Sequence, residues 1–140
     1  LTIDGEYFKR VFVYQKDSAL KIEFIFENFK TVGQRQKTKG ICIDSKENIA
    51  ANKITTIYAR KTAKDFIDLY FLLSDLDFEQ VAKWSEYKVV PLDYEGTVMA
   101  VAGQQLEGTV LLKQDVSLKE FENFIEKFTK KMLEYAKQIR

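Results

Sequence analysis

Apolar residues in the first part of the chain recur with the two-residue period of β-strands. Two segments, 9–16 and 19–28, are rich in Val, Ile, Phe and Tyr and are separated by a short polar turn. Alternation in the second segment predicts an apolar face and an opposite face that carries Lys and Glu. A polar loop over 30–40 and a short extended segment at 41–43 are predicted to follow. The predicted apolar face carries Leu20, Ile22, Phe24 and Phe26.

From residue 45 onward the spacing of apolar residues is helical. Ser45, Thr62, Asp77 and Ser117 each stand where a helix N-cap is expected, and Thr62 and Ser117 begin capping boxes. The predicted helices cover about 46–60, 63–75, 77–88 and 95–105, and a last helix follows Ser117. Apolar residues recur in this last helix at spacings of three and four, namely Phe121, Phe124, Ile125, Phe128, Met132, Tyr135, Ala136 and Ile139. The first of them is expected to carry Ile49, Ala50, Ile54, Ile57 and Tyr58 on or near its apolar face. Strands first and helices afterwards predict an α+β fold, with a strand region at 1–44 and a helical region at 45–140 in one domain.

Composition narrows the chemistry that this chain can perform. With no histidine among 140 residues, Ser-His-Asp catalysis, Cys-His catalysis and histidine-ligated zinc are excluded. The single cysteine, Cys42, excludes an internal disulfide and favours a cytoplasmic location. Any bound metal must therefore be a hard ion held by carboxylates. A net charge of +1 gives no general attraction for nucleic acid, and the chain has no apolar run long enough to span a membrane.

One group of charges lies in an otherwise apolar helical stretch. Lys53 and Arg60 are two helical turns apart, and Asp65 and Asp68 share a face of the next predicted helix. Basic groups bind phosphate and carboxylates bind Mg²⁺, so the four residues could line a polyphosphate site. A structural interpretation stays open: Asp65 caps a helix, Asp68 pairs with Lys64 or Arg60, and the two basic residues face water.

The stretch from Lys53 to Leu72 resembles a motif of the AbiEii/AbiGii-type nucleotidyltransferases, a group within the DNA polymerase β-like superfamily. Lys53, Arg60, Asp65 and Asp68 match the motif in order and spacing, and Asp68 is followed by Leu-Tyr as in the family. Lys64 stands where the family more often has Arg. The preceding Ser-Lys-Glu-Asn-Ile-Ala-Ala-Asn also resembles the family's lead-in, and the likeness extends over residues 9–75.

The resemblance implies a nucleotidyltransferase sheet followed by helices, and transfer of a nucleotide from an NTP to an acceptor with the help of Mg²⁺. Several members are toxins of type IV toxin–antitoxin or abortive-infection systems, which act in phage defence, and tRNA is a known acceptor class. It implies that Lys53 and Arg60 contact the triphosphate, while Asp65 and Asp68 support the site. Glu23 would be a further acid beside the metal ions. A cognate antitoxin is the expected protein partner.

Two superfamily motifs are absent from this sequence. It has no Gly-Gly or Gly-Ser turn, and its only Asp-x-Asp, at 75–77, follows the motif helix instead of opening the sheet. We therefore expect this to be the C-terminal portion of such a protein and inactive alone. The alternative is a non-catalytic protein- or RNA-interaction module. Its RNA contacts would come from a basic loop formed by Lys30, Arg35, Lys37 and Lys39. The other interpretation of this loop is that its charges are only solvated.

Overall fold

The computed structural model describes residues 2–26, 30–57, 62–88, 92–101, 112 and 115–139. In this part of the chain, five strands precede five helices, which confirms the predicted α+β class. The strands are β1 (Thr2–Asp4), β2 (Phe8–Gln15), β3 (Ser18–Ile25), β4 (Gln36–Thr38) and β5 (Ile41–Ile43). The helices are α1 (Lys46–Ile57), α2 (Ala63–Leu72), α3 (Phe78–Glu86), α4 (Tyr94–Val101) and α5 (Leu118–Gln138). None of the described helices is long and apolar enough to cross a membrane.

The predicted hairpin forms the main sheet. Strands β2 and β3 pair antiparallel over eight residues each, from Phe8 opposite Ile25 to Gln15 opposite Ser18. Lys16 takes a positive φ of 51°, which closes the two-residue turn between them. Strand β1 adds to the other side of β2, in the order β1-β2-β3. The sequence pattern did not predict β1.

A second, smaller sheet corrects the predicted loop. Strands β4 and β5 pair antiparallel, although β4 is polar and lies inside the 30–40 segment. Lys39 and Gly40 have φ values of 48° and 81°, the conformation of a two-residue hairpin turn. Turn chemistry and pairing with the Ile41–Ile43 segment therefore outweigh the low strand propensity of Gln-Lys-Thr.

The apolar face of β3 is uncovered in the described structure. Leu20 and Phe24 are 60% and 59% exposed, Phe26 is also exposed, and Ile22 is half-buried. Among the described residues, strands pack mainly with strands and helices with helices, and no strand makes an extensive contact with a helix. The alternation predicted the strand and its faces but not what covers them.

The hydrophobic core lies between the helices. Phe66 of α2 and Phe78 of α3 both meet the ring of Phe128 edge-on, with ring centroids 6.3 Å and 5.6 Å apart. Met132, one turn further along α5, is also buried, as the spacing of that helix predicts. Edge-to-face aromatic packing of this kind stabilises the bundle beyond the area it buries.

Side-chain caps begin the described helices where the sequence predicts them. Thr62, Asp77 and Ser117 each accept a hydrogen bond from the backbone N–H three residues on, and Ser117 completes a capping box with Glu120. Ser45 caps α1 in the same way, its Oγ accepting from the Asn48 N–H at 3.0 Å. The helix starts were therefore the most predictable boundaries.

A buried polar network fixes the start of α1. Lys88, which follows α3, donates through Nζ to Asn48 Oδ1 at 2.6 Å and to the Lys30 carbonyl at 3.0 Å. Asn48 also donates to Asp44 at 2.5 Å and accepts from the Val32 N–H at 3.1 Å. Asn48 is fully buried and Lys88 nearly so. The network ties the segment after the sheet to the helix that carries Lys53.

Asn48 also explains one wrong prediction in α1. The expected apolar face included Ile49, but Ile49 is exposed while Asn48 and Ala51 are fully buried. Because Asn48 has polar partners inside the protein, the buried face is rotated from the one that hydrophobicity alone predicts.

Candidate functional site

Lys53 binds two carboxylates at the packed interface of α1 and α2. Its Nζ lies 2.8 Å from Asp65 Oδ1 and 2.5 Å from Asp68 Oδ2. The side chains of Lys53, Asp65 and Asp68 are 17%, 2% and 36% exposed, so the group spans the depth from the core to the surface. We call these three residues the Lys53 cluster. The sequence singled out all three, and the structure brings them together.

Asp65 contacts the N-cap residue of α2 in addition to Lys53. Its N–H donates to Thr62 Oγ1 at a long 3.4 Å, and the Thr62 hydroxyl donates to Asp65 Oδ2 at 2.7 Å. The structure therefore confirms Thr62 as the N-cap of α2. The Asp65 carboxylate accepts from the Thr62 hydroxyl and from Lys53 through different oxygens, and its predicted contact with backbone N–H groups stays a prediction.

The electrostatics of the cluster favour a charged lysine. Burial lowers the pKa of Lys53, but the hydrogen bonds and negative charges of Asp65 and Asp68 outweigh it and hold the pKa above its usual value. With one positive and two negative groups, the cluster has a formal net charge of −1. An ammonium has three donors, and Lys53 uses two of them within the described residues. Its third donor has no partner among the described residues, and the Lys53 side chain is 17% exposed.

The other basic residues of the motif are less fully defined. Arg60 lies outside the described residues. Lys64 is exposed in the first turn of α2 and makes no ion pair within the described part of the chain. Asp68 pairs with Lys53 and forms no ion pair with Lys64 in the described part of the chain, whereas its predicted pairing with Arg60 involves a residue outside that part and stays a prediction.

Glu23 lies on β3, among cations. It accepts from Arg10 Nε at 2.7 Å and also lies 3.2 Å from Lys21 Nζ. Hydrogen bonds from Arg10 and Lys21 hold the pKa of Glu23 below its usual value. No contact joins Glu23 to the Lys53 cluster among the interactions of the described residues.

These surroundings do not fit a divalent metal. Across the described residues, no three Asp, Glu or Cys side chains come together as metal ligands. Mg²⁺ needs several oxygen ligands and competes poorly with two cations already on one carboxylate. The role of Glu23 as a metal ligand stays a prediction.

An open groove lies elsewhere in the structure. It has a volume of about 510 Å³ and runs between α2 and α5, past Tyr70, Phe71 and Phe124. None of the Lys53 cluster lines it.

Sequence reasoning missed the groups that position Lys53. The buried Lys88–Asn48–Asp44 network holds the start of α1, and its donors and acceptors come from segments far apart in the chain. The only signal in the sequence was the polar Asn48, which helical spacing places on the same face as Ala51. This signal is too weak to identify a partner as distant in the chain as Lys88.

The comparisons with known proteins agree with the motif. The sequence model of the family described as "Nucleotidyl transferase AbiEii toxin, Type IV TA system" matches residues 2–138. Searches of curated proteins and of solved structures gave no significant match. The family match includes the strands, the Lys53 cluster and α5, and therefore extends well beyond the motif itself. The chain belongs to the AbiEii nucleotidyltransferase toxin family of type IV toxin–antitoxin systems.

Proposed function

We propose that this protein takes part in transferring a nucleotide from an NTP to an acceptor such as tRNA, and that Lys53 contacts the triphosphate. The observation that carries the proposal is the Lys53 ammonium, held by Asp65 and Asp68 at 2.8 Å and 2.5 Å in a chain of this family. Arg60 is proposed as a second cation for the same phosphates.

The cluster would act by positioning charge. Phosphoryl transfer spreads negative charge over the phosphate oxygens, and a fixed cation stabilises it without having to reorganise. Asp65 and Asp68 hold the ammonium of Lys53 in place and keep it protonated. Because the cluster is net negative, further cations must bring the triphosphate to it, and Arg60 and Lys64, which lie near it in the sequence, are the candidates.

We further propose that the 140 residues alone do not complete the transfer. The sequence has no Gly-Ser turn, and it has no Asp-x-Asp at the start of the sheet. Backbone amides of such a turn and paired carboxylates are what cradle phosphate and bind the metal in this chemistry. What remains measurable in this chain is NTP binding.

A titration with NTP tests the role of Lys53. We expect Lys53→Met to weaken NTP binding about 10- to 100-fold, the value of one charge-assisted hydrogen bond. Lys46→Met is the matched control, because Lys46 lies on the same helix in an exposed pair with Asp75. Equal losses in both variants, or no NTP binding by a folded wild-type chain, would contradict the proposal.

The acceptor and the cellular setting are separate proposals. A transfer assay with labelled NTP, Mg²⁺ and tRNA should give no product with this chain alone. In a cytoplasmic toxin–antitoxin or phage-defence system, a cognate antitoxin should restore growth that the active toxin blocks.

Direct RNA binding by the basic segment stays an alternative. There Arg35 is already 3.3 Å from Asp44, whereas Lys37 and Lys39 lie on the exposed β4–β5 hairpin. A gel-shift assay with tRNA tests this alternative. A shift that Lys37→Ala weakens and that salt abolishes would support it.

A further inference from the structure

Two different faces of α1 compete for burial, and each would place Lys53 differently. An apolar face that hydrophobicity alone would bury runs through Ile49, Ala50, Ile54 and Ile57. Lys53 lies four residues after Ile49 and four before Ile57, so it belongs to the middle of that face. If hydrophobicity alone set the rotation of α1, the Lys53 ammonium would be drawn towards the core, where burying a charge is costly.

The structure buries a different face of α1. Ile49 is 37% exposed, whereas Asn48 and Ala51 are fully buried. Asn48 precedes Lys53 by five residues, which places the two side chains about 140° apart around the helix axis. The burial of Asn48 therefore moves Lys53 from the middle of the buried face to its edge. There the Lys53 side chain keeps 17% exposure while its Nζ lies 2.8 Å from Asp65 Oδ1.

The hydrogen-bond partners of Asn48 favour this rotation, because a buried amide needs partners inside the protein. Lys88 Nζ donates to Asn48 Oδ1 at 2.6 Å, and the Asn48 amide donates to Asp44 Oδ2 at 2.5 Å. Hydrogen bonds to charged groups are roughly twice as strong as neutral ones. Lys88 is fixed at the end of α3, where its N–H donates to the Ser85 carbonyl at 3.0 Å. Lys88 therefore links the rotation of α1 to a second helix.

We propose that Lys88 is a positioning residue for Lys53, and that it acts by holding Asn48 in the core and so setting the rotation of α1. Lys88 is nearly buried, and its Nζ binds Asn48 and the Lys30 carbonyl. Its effect on NTP binding rests on the proposed function. Its effect on the Lys53 ammonium does not, so the two effects are measured separately.

The NMR signal of the Lys53 ammonium without nucleotide tests the positioning. Lys88→Met removes the charged donor from Asn48, so the rotation that buries Ile49 gains and Lys53 loses its carboxylate partners. The signal, assigned by its absence in Lys53→Met, should shift or broaden beyond detection. Met132→Ala is the matched control, because it costs stability by leaving a cavity at a buried position of α5. The Lys53 signal of this control should stay at the wild-type position.

A second substitution tests whether the rotation of α1 is the cause. Ile49→Gln makes the competing face polar, so it removes the apolar gain from turning α1 towards that face. Added to Lys88→Met, it should return the Lys53 signal towards the wild-type position, although the hydrogen bond from Lys88 to Asn48 stays absent. Ile49→Gln alone should leave the signal in place, because Ile49 is already partly exposed.

Titration with NTP separates positioning from direct contact. Lys88→Met should weaken NTP binding about tenfold, within the range expected for Lys53→Met. A residue that acts through Lys53 has no further effect once Lys53 is gone. The double variant Lys53→Met/Lys88→Met should therefore bind NTP no more weakly than Lys53→Met alone. A wild type that binds no NTP would refute the proposed function, and the ammonium signal would then decide the positioning by itself.

If Lys88→Met does not fold, Lys88→Gln, which keeps a neutral donor, replaces it in each comparison and should change the signal less but in the same way. A Lys53 signal that the folded Lys88 variant leaves in place would overturn the proposal. So would an equal change in Met132→Ala, a signal that Ile49→Gln does not restore, or additive losses of NTP binding in the double variant.

Discussion

Removing the Lys53 ammonium should destabilise the fold, because it takes away a cation that binds the buried Asp65 carboxylate at 2.8 Å. In Lys53→Met, Asp65 remains 2% exposed and keeps its hydrogen bond from the Thr62 hydroxyl at 2.7 Å. Breaking a buried ion pair by deleting one partner costs about 3–5 kcal/mol. Lys53 and Asp68 are partly exposed, so water compensates part of that cost. We expect Lys53→Met to lower the free energy of unfolding by about 2–3 kcal/mol.

Urea unfolding followed by circular dichroism measures this loss, and a double-mutant cycle assigns it to the ion pair. Asp65→Asn removes the negative charge that Lys53 compensates, so the double variant should be less destabilised than the sum of the single variants. We expect a coupling of about 1–2 kcal/mol. Lys46→Met, which breaks an exposed pair with Asp75, should cost at most about 1 kcal/mol.

The pH dependence of the free energy of unfolding shows whether the ion pairs of Lys53 stabilise the folded state. The folded-state pKa of Lys53 is above 10.5, so its stabilisation is complete below pH 10.5 and is lost as the pH rises through the folded-state value. The stability difference between wild type and Lys53→Met should therefore be flat from neutral pH to about 10 and shrink above it. A Lys53→Met chain as stable as Lys46→Met, or purely additive effects in the cycle, would refute this reasoning.

Three further predictions concern the rest of the structure. Lys88→Met should cost about 2–3 kcal/mol, because it removes a charged donor from the buried Asn48 Oδ1 and leaves only the Val32 N–H on that oxygen among the described contacts. The exposed Lys83→Met on α3 should cost under about 0.5 kcal/mol, and urea unfolding measures both changes. Burial raises the pKa of Asp44, but hydrogen bonds outweigh burial and hold that pKa below 3.8. Wild type should therefore be more stable than Asp44→Asn above pH 3.8, and this advantage should fall as the pH drops through the folded-state pKa. Phe66→Ala should lower the free energy of unfolding by about 3–5 kcal/mol, whereas Met99→Ala, at 79% exposure, should change it by less than about 0.5 kcal/mol.

The elements with local signals were predictable from the sequence. Capping at Thr62 and Ser117 depends on side chains three residues apart, and the structure confirms both. The apolar spacing of α5 likewise identified Phe128 and Met132 as core residues. In each case the information lies within one or two helical turns, so one short window of sequence contains it.

The features that the sequence did not predict depend on residues that are distant in the chain. Exposure of Ile49 follows from the burial of Asn48 against Lys88, which is 40 residues away. Strand β4 exists because β5 pairs with it across a turn that includes Gly40. The sequence indicated Lys53, Asp65 and Asp68 as one site. It did not show that two of the three N–H donors of Lys53 bind these two carboxylates.

The most direct test of the account is the NMR signal of the Lys53 ammonium during titration with NTP. The signal is assigned by its absence in Lys53→Met, and protection by Asp65 and Asp68 should slow its proton exchange enough to observe it. We predict that NTP shifts this resonance, while the same nucleoside without phosphates leaves it in place. A Lys53 signal that stays fixed while NTP binds would contradict the proposal that this lysine contacts the triphosphate.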